Sequence, residues 1–111
     1  MRRGSLLLAA IAAVGLAAGA LLVPGVAAQA GHVAIVIIDQ LAFQPSPPGL
    51  RAGDTVEWEN RDLFRHSVTG KGFDLDLKPG TKGRLVLSGS GVIPYVCRYH
   101  PGMRGEIRVA K

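Results

Sequence analysis

Turn residues recur at short, regular intervals along the chain after residue 31. Short strand-like segments alternate with clusters rich in glycine and proline, and such frequent interruption favours strands over long helices. The strand-like segments are Val33–Ile38, Thr55–Glu59, His66–Thr69, Arg84–Ser88, Val92–Cys97 and Glu106–Ala110. None of them shows a sustained helical period with caps.

These segments predict an all-β fold. Val33–Ile38 is rich in β-branched residues, which indicates a strand buried on both faces or at a sandwich seam. Thr55–Glu59 alternates polar and apolar residues, so Val56 and Trp58 share one face and Trp58 is expected in the core. About seven or eight short strands at this spacing predict a Greek-key β-sandwich or barrel.

The first thirty residues have the pattern of an export signal. A positively charged start is followed by an uncharged apolar run, Leu6–Val23, and by Ala28-Gln29-Ala30, which matches the A-x-A cleavage pattern. We therefore predict a signal peptide over residues 1–30, a mature domain over 31–111 and a periplasmic or otherwise exported protein. An uncleaved membrane anchor is the alternative, since the run reaches the lower length limit of a spanning helix. Arg2-Arg3 weakly suggests the twin-arginine route.

The charge of the mature segment argues against a nucleic-acid partner. Residues 31–111 contain eleven of the thirteen lysines and arginines, because Arg2 and Arg3 precede them, and all eight acids. The resulting charge of +3 is small, and its basic residues are scattered among acidic ones. That distribution is typical of a solvated surface.

The stretch YVCRYHPGMRG, residues 95–105, contains the only cysteine of the chain. A lone Cys97 cannot form an internal disulfide, which is unusual in an oxidising exported compartment. His100 and Met103 follow at steps of three, around a turn made by Pro101-Gly102. A thiol, an imidazole and a thioether at this spacing can converge on one point, and together they suit copper better than calcium or magnesium.

A second imidazole would complete the His₂Cys arrangement with a weak axial methionine that characterises blue-copper sites. His66 opens a predicted strand 31 residues upstream of Cys97 and is the candidate. Each residue alone has an ordinary interpretation, as a buried cysteine, a turn histidine or a gap-filling methionine. The combination of C-x2-H-x2-M at a strand exit with a distant strand-opening histidine favours a metal site at His66, Cys97, His100 and Met103.

The chain resembles the small cupredoxins of the plastocyanin, pseudoazurin and amicyanin group over nearly the whole mature domain. The ligand loop CRYHPGM has the short C-x2-H-x2-M spacing of amicyanin and is the most specific part of the resemblance. GDTVEWEN is similar to the family's G-D-x-V-x-W/F-x-N strand, HSVTG to its first-ligand strand, and MRGEIRV to its closing strand.

This resemblance implies one type 1 copper ion with His66, Cys97 and His100 as equatorial ligands and Met103 as the axial ligand. It further implies a monomeric, non-enzymatic carrier of single electrons between protein redox partners. The loop histidine, His100, would be the electron port, in an apolar setting of Leu63, Phe64 and Pro101. Arg98 and Arg104 are expected either to form a basic rim that steers a partner with an acidic docking surface or to be ordinary solvated charges.

Other functions remain to be weighed against electron transfer. A copper carrier or scavenger would use the same ligands and cannot be separated from a shuttle by sequence. A catalytic copper centre needs more histidines than His32, the only one beyond the proposed ligands. A nucleophilic pair of Cys97 and His100 leaves His66 and Met103 unexplained. Zinc rarely accepts a thioether ligand.

Three positions depart from the family pattern. Many members have asparagine after the first histidine and serine or threonine after the cysteine, and these side chains tie the two ligand segments together. This chain has Ser67 and Arg98 there, so the tuning of the metal by surrounding hydrogen bonds is in question. Ile93 replaces a tyrosine that is frequent before the cysteine, which we expect to affect packing only.

Overall fold

The computed structural model describes residues 12–15, 19 and 31–111. Most of the predicted signal segment, including the cleavage site after Ala30, therefore lies outside the described residues. Within the described ranges, no helix is long and apolar enough to cross a membrane.

The described residues form nine β-strands and no helix, which confirms the all-β prediction. The strands are β1 (Val33–Asp39), β2 (Ala42–Phe43), β3 (Leu50–Arg51), β4 (Thr55–Asn60), β5 (His66–Gly70), β6 (Phe73–Leu77), β7 (Lys82–Val86), β8 (Gly91–Val96) and β9 (Arg104–Ala110). Seven or eight strands were predicted. The count is higher because β2 and β3 are two-residue strands.

The strands form two sheets, in the orders β2-β1-β4-β7 and β3-β9-β8-β5-β6. β1 runs parallel to β4, and β3 runs parallel to β9, whereas the other neighbours are antiparallel. Most neighbours within a sheet are distant in sequence, so the connections pass between the sheets as expected for a Greek-key sandwich. This topology brings segments 31 residues apart, at the starts of β5 and the loop after β8, to one end of the molecule.

The core lies between the two sheets and is organised around Trp58, which is fully buried. Its ring meets Tyr95 edge-on, with centroids 5.4 Å apart, and Tyr95 meets Phe43 in the same way at 4.8 Å. The core position predicted for Trp58 is confirmed, and its truncation to alanine would cost about 3–5 kcal/mol. β1 alternates in burial, with Val36 and Ile38 inside, so the strand is buried on one face only.

The outer face of β4 is covered by charge pairs. Glu57 and Glu59 point away from the core, yet both are buried. Arg84 donates from Nε to Glu57, and the Lys82 ammonium lies 3.3 Å from Glu59 Oε1. Because these cations come from the neighbouring strand β7, the carboxylates are paired across the sheet.

Side-chain hydrogen bonds to backbone groups fix both ends of β4. At the start, the Asp54 carboxylate accepts the N–H groups of His32 (2.9 Å) and Arg51 (2.8 Å). At the end, Asn60 Nδ2 donates to the carbonyls of Phe64 (2.8 Å) and Leu77 (2.9 Å). The second of these anchors shapes the loop that leads into β5.

Candidate metal centre

Three of the predicted ligands converge at the end of the sandwich where β4 finishes. His66 is the first residue of β5, and Cys97 and His100 lie in the connection between β8 and β9. Cys97 Sγ is 3.8 Å from His66 Nδ1 and 3.5 Å from His100 Nδ1. All three donor atoms fall within 4.8 Å of one another, a separation that a single metal ion can bridge.

His66 is held rigidly by the scaffold. The side chain is fully buried, and its Nε2 lies 2.9 Å from Asp62 Oδ2. A carboxylate accepts the proton of this bond, so Nε2 carries the hydrogen and the lone pair of Nδ1 faces the cysteine. The bond therefore selects the tautomer that a metal requires.

Asp62 is a functional position that sequence reasoning missed. The backbone N–H of Leu41 donates to its carboxylate at 2.9 Å, and this bond, followed by the bond to His66, holds the pKa of Asp62 below its usual value. The carboxylate thus stays charged and continues to orient the imidazole. Sequence alone does not mark this aspartate, because one of its two main partners, Leu41, lies 21 residues away and the bond to His66 depends on the loop conformation.

Backbone hydrogen bonds close the ligand loop upon itself. The N–H of Cys97 donates to the carbonyl of Met103 at 3.0 Å, and the N–H of Met103 donates to the carbonyl of His100 at 3.1 Å. Gly102 supplies the turn with a φ of +86°, a conformation that is costly for other residues. The short C-x2-H-x2-M spacing is therefore long enough to bring both ends of the loop together.

Met103 is buried beside Cys97 at the point where the loop joins β9. Its backbone position is set by the two bonds that close the loop. Its assignment as the axial ligand stays a prediction.

Hydrogen bonds around the Cys97 sulfur persist with Ser67 and Arg98 at the two positions that depart from the family pattern. The Ser67 N–H donates to Cys97 Sγ at 3.4 Å, and the Ser67 hydroxyl accepts the backbone N–H of Arg98 at 2.8 Å. The two ligand segments are tied together through Ser67, and residue 98 contributes its main chain. Its side chain is therefore not needed for this bond.

The surface above His100 is apolar. The half-buried imidazole meets the Phe64 ring with centroids 6.0 Å apart, and Leu63 beside it is 88% exposed. The expected basic rim is only partly present. Arg98 is paired with Asp74 at 3.1 Å and Asp76 at 3.7 Å, whereas Arg104 has no ion-pair partner within residues 31–111.

The donor set is suited to copper. A buried thiol and two imidazole nitrogens form a soft, nitrogen- and sulfur-rich site with room for one ion, as a type 1 copper site requires. A two-sheet Greek-key sandwich that carries this set at one end has the architecture of a cupredoxin.

Comparison with known proteins supports this class and narrows it. No family model matches the chain. Amicyanin-alpha of Methylorubrum extorquens is 31% identical over 82 residues, which cover 67% of this chain and 69% of the relative. The chain belongs to the amicyanin family.

Solved structures of amicyanin are similar to this chain in fold and sequence. An amicyanin variant with glutamine in place of a methionine, in its Cu(I) form, has a TM-score of 0.61 and 28% identity over 70% of this chain and 82% of that chain. The reduced Cu(I) form at pH 4 of a proline-to-glycine amicyanin variant has a TM-score of 0.60 and 30% identity, covering 72% and 83%. Copper is accordingly the metal that the cluster of His66, Cys97 and His100 fits.

Proposed function

We propose that this protein is an exported, monomeric electron carrier whose single copper ion is held by His66, Cys97, His100 and Met103. The observation that carries the proposal is the convergence of one buried thiol and two imidazoles within 4.8 Å, one of which lies against an apolar surface. A bound copper ion supplies a reversible one-electron couple between Cu(II) and Cu(I).

Contacts within the protein hold the ligand side chains in the same positions in both oxidation states. His66 is locked by Asp62 and by complete burial, and Cys97 is locked by the N–H of Ser67. Because these ligands are held in place, the site rearranges little when the oxidation state changes. Electron exchange is therefore fast. The hydrogen bond to the Cys97 sulfur also withdraws charge from the thiolate and so sets the reduction potential.

Partner recognition is proposed to occur at the surface above His100. Leu63 and Phe64 offer an apolar contact that excludes water next to the imidazole. A redox partner with acidic groups around an apolar centre would complement this face, since Arg104 has no ion-pair partner among residues 31–111 and these residues carry excess positive charge.

A carrier is favoured over a copper enzyme by the placement of the histidines. The chain has three histidines, and two of them point at one metal position. The third, His32, is bonded through its backbone to Asp54 and Thr55 at the opposite end of β4. A second copper centre near the first would therefore lack imidazole ligands from this chain.

Copper loading of the purified protein tests the proposal. Addition of one equivalent of Cu(II) should produce an intense visible absorption from thiolate-to-copper charge transfer, and Cys97→Ser should abolish it. Cys97→Ser leaves the backbone bonds of the loop in place, so an unchanged fold by circular dichroism is the control. Copper binding that leaves Cys97 open to thiol reagents would contradict the proposed site.

A second measurement separates an electron shuttle from a copper carrier. Repeated oxidation and reduction in the presence of a copper chelator should return the full absorption each time if the protein shuttles electrons. Progressive loss of metal to the chelator in the reduced state would instead favour a carrier that donates copper.

A further inference from the structure

A closed ring of hydrogen bonds starts and ends on Arg98, the residue that follows the cysteine. Its backbone N–H donates to Ser67 Oγ at 2.8 Å, and Ser67 Oγ lies 2.8 Å from Thr69 Oγ1. Thr69 Oγ1 donates to Asp74 Oδ1 at 2.7 Å, and that same oxygen accepts Arg98 Nε at 3.1 Å. The ring joins the ligand loop to two strands, β5 and β6.

The chemistry of the four groups fixes the direction of every bond in the ring. The Asp74 carboxylate can only accept, so Thr69 uses its single hydroxyl proton on Asp74. Thr69 must therefore accept from Ser67, and Ser67 in turn accepts from the N–H of Arg98. Each donor strengthens the next because the dipoles are aligned head to tail and the chain ends on a charge.

One member of the ring, Ser67, has no access to water. Ser67 points away from the core, yet its exposed fraction is 0%, since the ligand loop lies over it. If the bond to Thr69 were lost, the Ser67 hydroxyl proton would need a new acceptor in a site without solvent. The ring therefore holds Ser67 in one orientation.

Ser67 is also the residue whose N–H donates to the Cys97 sulfur at 3.4 Å. We propose that Thr69, Asp74 and Arg98 are positioning residues of the copper site, acting through Ser67 on the Cys97 thiolate. This inference rests on the proposed function, because its consequence is the reduction potential of the bound metal. It explains why an arginine occupies a position where the family usually has a small hydroxyl: the side chain closes the ring from outside.

The sign of the effect follows from electrostatics. An N–H directed at the sulfur stabilises the site more when the site carries less positive charge, which is the reduced state. A looser ring lengthens this bond on average and therefore lowers the reduction potential.

Thr69→Val is the decisive variant, because it breaks the ring without changing any charge or touching Cys97. Its expected result in the metal-free protein is at least tenfold faster amide exchange at Arg98 and Ser67, measured by NMR. In the copper-loaded protein, the Cu(II)/Cu(I) equilibrium should shift at least threefold toward Cu(II), which is about 28 mV for a one-electron couple. Thr69→Ser restores the hydroxyl and should restore both values.

The matched control is Thr81→Val, the same substitution in a turn at the same end of the molecule. The Thr81 hydroxyl bonds only to the Lys78 carbonyl, outside the ring, so both readouts should stay at wild-type values. Unchanged amide exchange and potential in Thr69→Val, or equal changes in Thr81→Val, would overturn the inference. If the wild-type protein forms no reversible copper couple, the proposed function fails, while the amide exchange of the metal-free protein still decides whether the ring exists.

Discussion

The two ends of β4 are anchored by different chemistry. At the first end, the Asp54 carboxylate gathers two backbone N–H groups, from His32 and Arg51. At the second end, the Asn60 amide donates to two backbone carbonyls and accepts the N–H of Asp62 at 3.0 Å. Asn60 is almost completely buried, at 1% exposure, and the metal centre lies at its end.

This difference means that the main side-chain anchors at the two ends of β4, Asp54 and Asn60, respond differently to acid. A carboxylate works only while it is ionised, and it suits an end where N–H groups collect near solvent. An amide keeps its hydrogen bonds at every pH and can serve carbonyls and N–H groups together. The loop that leads to His66 therefore has one anchor that does not respond to acid, the Asn60 amide, beside the Asp62 carboxylate, which does.

Removal of the amide anchor should have the largest effect. Asn60→Ala leaves the carbonyl of Leu77 and the N–H of Asp62 without their partners in a buried site, at a cost of about 2–4 kcal/mol in the free energy of unfolding. Urea denaturation of the metal-free protein measures this loss. The visible absorption of the copper form should weaken as well, because the loop before His66 loses its support.

Asp54→Ala should cost less, since two backbone N–H groups lose their acceptor, whereas Asn60→Ala leaves three backbone groups without their side-chain partner. The same urea titration measures it, and the visible absorption of the copper form should stay unchanged. A loss of absorption equal to that of Asn60→Ala would show that the two ends are not independent.

Low pH should weaken the first end of β4 by protonating Asp54, whereas the Asn60 amide at the second end does not titrate. The N–H of Arg51, then that of His32, holds the pKa of Asp54 below its ordinary value of 3.8. Its contribution to stability is therefore complete above pH 3.8 and is lost as the pH falls through the lowered pKa. The difference in unfolding free energy between wild type and Asp54→Asn should shrink over that range, whereas the cost of Asn60→Ala should not follow it.

The smallest effect on stability should come from the exposed surface at the ligand end. Leu63→Ala removes a side chain that is 88% exposed, so stability should change by less than about 0.5 kcal/mol. Electron self-exchange, measured by NMR line broadening of mixed oxidation states, should nevertheless slow several-fold. Val92→Ala, a half-exposed aliphatic side chain near the other end, should leave the exchange rate unchanged and serves as the control.

The parts of the structure predictable from sequence are those with local signals. The clustering of Cys97 with His100 could be predicted because rare residues recur within one turn, while the role of Met103 in the same pattern stays a prediction. Trp58 could be placed in the core because polar and apolar residues alternate along the sequence of its strand, although nearly the whole strand is buried.

Features that depend on distant partners were missed. β6 has the sequence FDLDL, and its aspartates disfavour a strand until Arg65 and Arg98 pair with them. The burial of Glu57 likewise depends on Arg84, a partner 27 residues away. Asp62 became part of the site only when the fold set it against His66. Charge pairing across the fold, which sequence does not reveal, decides the first two, whereas Asp62 depends on the conformation of the loop that leads into β5.

The parallel pairing of β1 with β4 places the start of the domain at the end of the sandwich opposite the ligands. Because His32 is bonded to Asp54 and Thr55, the polypeptide enters the domain at the end opposite the ligands. The seven residues of β1 separate that entry point from the ligand end by about 23 Å. A tether attached before Gly31, to a surface or to another protein, would leave His100 facing outward and free to meet soluble partners.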